Sequence, residues 1–153
     1  MAIVECGFQD DSQGLASRKL LVWGPTLLVD IGFDPALFSG GRLDPTLKTG
    51  APSIPALIDT GAGESCIDDG LARQLGLPLV DRAKLSGAGG AHELNVYLGH
   101  IHSPQLMWTQ WGRFAGVRLG EGGQPHRALI GRAFLATMLM VYDGRTGTTR
   151  LAR

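Results

Sequence analysis

Ala56-Leu57-Ile58-Asp59-Thr60-Gly61-Ala62 is the stretch on which the reading of this chain turns. Ile54 to Ile58 is a short apolar run of buried-strand length, and it delivers the chain straight onto Asp-Thr-Gly. A carboxylate is thereby lifted to the end of a strand, at the edge of a core. Asp, Thr and Gly are also common in ordinary strand exits, so the tripeptide acquires meaning only from its surroundings.

Downstream, Asp68 or Asp69 is placed to cap a short helix with Leu71, Ala72 and Leu75 as its apolar stripe, Gly76 just past its end and Pro78 beyond. Val80 to Ser86, the tip Gly87-Ala88-Gly89-Gly90, and Leu94, Val96 and Leu98 on alternate positions predict a hairpin. Leu106 to Val117 predicts a strand in which Trp108 and Trp111 face opposite ways, and residues 120–125 a loop. Ala128 to Gly131 reads as a strand, Arg132 to Thr137 as one or two helical turns, and Met138 to Tyr142 with Thr148 to Ala152 as a terminal hairpin.

Upstream, Leu27, Val29, Ile31 and Phe33 alternate along a strand, and Leu20 to Val22 predicts another before the turn at Gly24-Pro25. Residues 34–52 carry prolines and glycines without a period and predict a long surface loop. Residues 1–18 predict a loosely held arm, one that could pair with a partner subunit, ahead of a single domain over 19–153.

Composition agrees with short strands and many turns. The 153 residues are 44% hydrophobic and 18% charged, with 23 glycines and 8 prolines, too many for a helical bundle. A chain of this length buries roughly 68 to 70% of its unfolded surface, so no staple is needed. Fourteen basic residues balance fourteen acidic ones, and no global field draws the chain to nucleic acid or anionic lipid. Two cysteines, Cys6 and Cys66, read as reduced thiols, Cys66 as a small buried hydrophobe. No signal peptide or membrane span is seen, so the expected location is cytoplasmic. His100 and His102 share one side of a strand but lack a familiar ligand spacing, and read as a surface pair, with no metal or cofactor expected. Gly63-Glu64-Ser65-Cys66-Ile67 lacks the second glycine of a nucleophile elbow, and the glycines at 61 and 63 lack the Lys-Ser/Thr of a phosphate loop.

Three motifs in order resemble retropepsins, the single-lobe aspartic peptidases of retroviral type: Asp59-Thr60-Gly61-Ala62 after two apolar residues, the Gly87 to Gly90 tip, and Leu129-Ile130-Gly131-Arg132. The resemblance spans residues 19–151. It implies an all-β, closed or nearly closed barrel with one or two short helices, paired as a homodimer. It implies catalytic roles for Asp59, Thr60 and Gly61, and substrate contact through Ala62, Gly87, Ala88, Gly89 and Gly90, the last four as a mobile flap over a peptide or protein substrate. It also implies that Gly131 packs close beneath the Asp59 loop and that Arg132 opens a helix. Two positions depart from the family pattern. Gly63, followed by Glu64, stands where an aspartate partner of the later arginine is usual, leaving Glu64 or Asp68 as its expected partner, and Ala133 replaces Asp or Asn. Amide hydrolysis by water needs both a base and an acid, and this chain offers one such aspartate, so a second must come from another copy. A non-catalytic peptide-binding or assembly domain of the same fold is the alternative expectation.

Overall fold

The computed structural model describes residues 1–38, 45–87 and 90–153. The chain is mostly β. Its strands are β1 (Ile3–Glu5), β2 (Thr26–Phe33), β3 (Thr49–Ile58), β4 (Cys66–Asp68), β5 (Leu79–Gly87), β6 (Gly90–Ser103), β7 (Trp108–Val117), β8 (Ala128–Ile130), β9 (Leu139–Asp143) and β10 (Thr148–Ala152). Its helices are α1 (Ala16–Trp23), α2 (Asp69–Gln74) and α3 (Arg132–Leu135), with 3-10 turns at Pro35–Leu37, Pro45–Leu47 and Gly120–Gly122.

The main sheet runs β2-β3-β8-β4-β7-β6-β5, and β2 also pairs β6 over Asp30–Gly32. The sheet thus folds back on itself without closing into a true barrel, because β4 and β8 contribute only three residues each and mix parallel with antiparallel pairing. The expected all-β class holds and the closed barrel does not. Leu27, Val29, Ile31, Phe33, Ile67, Ile101, Phe114, Ile130 and Phe134 fill the interior, each at most 2% exposed. The period-2 alternation of β2 is what commits its odd-numbered side chains to that core.

Three sequence readings fail. Residues 16–23 form a helix, not a strand: Ala16 and Leu20, one turn apart, are the buried pair, and Gly24 ends it at φ 73°. The supposed arm is tied down, since Ile3–Glu5 pairs with the chain's own β10, Ile3 opposite Ala152. The loop expected over 34–52 is shorter, because β3 begins at Thr49; residues 39–44 lie outside the described residues. Ser53 adopts φ 57° beside the register shift between Val29 and Ile31, and its N–H donates to Asp30 Oδ1 (3.1 Å). That irregularity lets a Pro-bearing segment continue as strand.

The other expected strands and helices appear, β7 starting at Trp108 rather than Leu106, whereas β4 over Cys66–Asp68 was not read from the sequence. Asp68 caps α2 through the Leu71 N–H (3.0 Å), and Gly76 follows the helix at φ 68°. Trp108 and Trp111 face apart, the first packed on the core and the second 55% exposed.

Candidate active site

β3 ends on Ile58, which is buried, and the next residue, Asp59, is half-buried. The strand is fixed on both sides at this point. Ile58 N–H donates to Pro25 O (2.9 Å), and Asp59 N–H donates to Ile130 O (3.0 Å) on the parallel neighbour β8. The loop then turns sharply, with Ala62 N–H donating to Asp59 O (3.2 Å). Gly61 N–H donates to Asp59 Oδ1 (2.9 Å) and orients the carboxylate. Among the described residues no other group donates to it.

A second layer supports this turn from below. Gly131 lies so close that a Cβ there would come within 3.0 Å of the Glu64 carbonyl and of Ser65 N, which makes glycine obligatory. Its N–H donates to Ser65 Oγ (3.0 Å), and Ser65 Oγ donates to Gln110 Oε1 (2.8 Å), a relay buried under the loop. Arg132 opens α3, its N–H donates to Ala62 O (3.0 Å), and Ala133 N–H donates to Gly63 O (2.9 Å).

The arginine's partner corrects the sequence reading. The Arg132 guanidinium donates to the carbonyl oxygens of Thr60 (2.8 Å) and Gly61 (3.0 Å), so backbone takes the place expected of Glu64 or Asp68. Asp68 is engaged elsewhere: it is 5% exposed, and its Oδ2 accepts from Arg127 Nη2 (2.8 Å) and Nε (3.1 Å). Its Oδ1 accepts the N–H groups of Leu119 (3.1 Å) and Gly120 (3.3 Å). Burial pushes this carboxyl up, but the Leu71 and Gly120 N–H groups, the Arg127 charge and the Leu119 N–H outweigh it and hold it below the usual range. Nothing in the sequence signals this pair, which joins residues far apart in the chain.

Asp59, Thr60, Gly61 and Ala62 therefore form one braced loop. Thr60 is exposed, and among the described residues its hydroxyl makes no hydrogen bond within the chain. Gly87 and Gly90 stand opposite each other where β5 and β6 end, with Gly90 at φ 101°; Ala88 and Gly89 lie outside the described residues. Among the described residues no hydrogen bond ties this hairpin end to the Asp59 loop.

Cys66 is half-buried beside the loop, and burial, with the charges of Glu64 and Asp59, pushes its thiol up, so it is not an activated nucleophile. Cys6 is buried and its thiol is pushed up to about 12. His100 and His102 do share a side of β6, and the His102 ring bonds Thr109 Oγ1 (2.8 Å). Among the described residues no group of three or more His, Cys, Asp or Glu is placed to hold a metal ion, and no helix is long and apolar enough to cross a membrane. Compared with models of known protein families and with curated proteins, the sequence gives no match.

Proposed function

We propose that the chain is a retropepsin-like aspartic endopeptidase that hydrolyses peptide bonds as a homodimer, each copy supplying Asp59. The observation that carries this reading is the Asp59 loop itself: a carboxylate at a strand end, oriented by Gly61 N–H at 2.9 Å and braced by Gly131 and Arg132. Such bracing costs conformational freedom and holds an acid at a half-exposed position, which favours a site for chemistry over a plain turn.

Two carboxylates brought to about 3 Å of each other share one proton, because both cannot ionise at that distance. The ionised member takes a proton from water as it attacks the amide carbon, and the protonated member donates to the carbonyl oxygen. The Thr60 hydroxyl, without a hydrogen-bond partner among the described residues, is available to hydrogen-bond across the twofold axis. The β5–β6 hairpin would close over an extended peptide, adding backbone hydrogen bonds and excluding water.

Replacement of Asp59 by Asn tests the reading. It removes the base, and cleavage of a degenerate library of extended peptides is expected to disappear while the dimer and the circular-dichroism spectrum persist. Cleavage by that variant at the native rate would overturn the assignment.

A further inference from the structure

One face of the main sheet carries polar groups in register. Ile31 and Ile101 are buried, so their neighbours Asp30, Gly32, His100 and His102 belong to the opposite, outer face. Two cross-strand rows result: Asp30, His102 and Thr109 in one, and Gly50, Gly32, His100 and Trp111 in the other. The glycines leave the second row unfilled, and a Cβ on Gly32 would strike the Thr49 carbonyl. A cavity of about 350 Å³ opens on this face, lined by Asp30, Asp34, His100, His102, Thr109 and Trp111.

Backbone and core fix its walls. Ser53 N–H donates to Asp30 Oδ1 (3.1 Å) and Ala36 N–H to Asp34 Oδ1 (3.0 Å), which aims both carboxylates. The Trp111 ring, 55% exposed, stands edge-on to Phe38 (centroids 5.8 Å apart, planes at 84°), and Phe38 stacks on the buried Phe33. The charge is one-sided. Burial lowers the His100 pKa, so that ring is neutral at pH 7, and its buried Nδ1 has no hydrogen-bond partner among the described residues. Lys48 approaches from the rim, its Nζ 3.3 Å from Asp34 Oδ2 on a side chain 69% exposed; among the described residues Asp30 makes no ion pair. An exposed pair such as Lys48–Asp34 is weak and readily exchanged.

We infer that this cavity binds a guanidinium group, the carboxylates of Asp30 and Asp34 accepting its N–H groups and the Trp111 ring taking its flat face. Two acids beside an aromatic ring suit a planar, weakly hydrated cation better than an ammonium, because only the former both forks onto carboxylate oxygens and stacks. Lys48 is the chain's own stand-in, displaced from Asp34 when the guanidinium enters. The site is separate from the Asp59 loop: Ile31 stands opposite Ala51, eight residues before Asp59, a span of roughly 25 Å at the rise of a strand. It stands whether or not that loop cleaves peptides.

The test follows the backbone and indole N–H resonances of the full chain by NMR, Trp111 being assigned as the one of three indoles lost in Trp111→Leu. N-acetylarginine amide is expected to shift the Trp111 indole and the His102 and Thr109 amides saturably, where sodium chloride of equal ionic strength does not and N-acetyllysine amide binds several-fold more weakly. Asp30→Asn keeps an acceptor for Ser53 N–H and removes the charge; it should raise Kd about two- to fivefold, as should Trp111→Leu read at the Thr109 amide. Lys48→Met removes the competitor and should lower Kd by a similar factor, an effect that a loosened fold would not produce. A peptide with one internal arginine, run beside the amide, separates the two sources of the group: tighter binding by the peptide assigns the occupant to a protein segment, and equal binding assigns it to a small guanidinium compound. Shifts no larger than those from salt, equal binding of the lysine amide, or native Kd values in both Asp30→Asn and Trp111→Leu overturn the inference.

Discussion

Replacing Gly131 by Ala isolates the support beneath the Asp59 loop. The added Cβ would lie within 3.0 Å of three backbone atoms, the Glu64 carbonyl carbon and oxygen and, at 2.9 Å, Ser65 N. Backbone cannot rotate away as a side-chain tip does, so the loop and β8 must part by roughly 1 Å. That movement also stretches the hydrogen bond from Gly131 N–H to Ser65 Oγ, now 3.0 Å. Overpacking of this kind costs about 1–3 kcal/mol, and an obstacle made of backbone argues for about 3 kcal/mol. For a chain of this length each kcal/mol moves Tm by about 2–4 °C, which gives a fall of roughly 6–12 °C. A displacement of about 1 Å at a reacting group costs on the order of a hundredfold in rate, so kcat should fall more than stability alone explains. Thermal unfolding and peptide cleavage are measured beside Gly122→Ala, where a Cβ meets nothing within 4 Å and the change should stay within about 0.5 kcal/mol. If both variants match the native chain in Tm and kcat, the close approach of Gly131 to the loop is not what holds the site.

The Asp68→Asn variant leaves Arg127 without its carboxylate and weakens the bonds to Leu119, Gly120 and Leu71; since the Arg127 side chain is 40% exposed, the expected loss is about 2 kcal/mol in denaturant unfolding. Because the folded carboxyl titrates below its ordinary 3.8, native Asp68 contributes fully above that pH, and its share disappears as pH falls through the lowered folded value. His126 acts in a higher window. It is 1% exposed, its Nε2 bonds Thr26 Oγ1 (2.8 Å), and its buried Nδ1 has no partner among the described residues. Burial lowers its pKa from 6.5, so the unfolded chain takes up a proton first and stability should decline as pH drops below 6.5; a His126→Leu variant should show a shallower slope in a pH series of unfolding midpoints, the rest coming from His100, whose pKa burial also lowers.

The strands on either side of β3, which carries the Asp59 loop, were legible because β2 alternates and β8 is a short apolar run between loop signals, patterns set by local burial. Helix α1 was not, since Leu20-Leu21-Val22 is too short a run to reveal its period; the signal lay in the spacing of Ala16 and Leu20 and in Gly24. The first strand was hidden for another reason. Val4 and Cys6 alternate inward over too few residues to register, and their partner is at the opposite end of the chain. The Asp59, Gly131 and Arg132 positions could be read from their motifs, whereas the carbonyl partners of Arg132 and the Asp68–Arg127 pair arise from chain crossings that no local pattern encodes.

The central claim, that one site is assembled from two copies of Asp59, is tested most directly by titrating the Asp59→Asn chain into a fixed amount of native chain, at concentrations where chains are paired. Mixed dimers hold one carboxylate and should be inert, so cleavage should fall with the native fraction, to about half at equal amounts and about one tenth at a ninefold excess of the variant. Activity that stays constant throughout the titration would mean that each chain works alone, and would contradict the account.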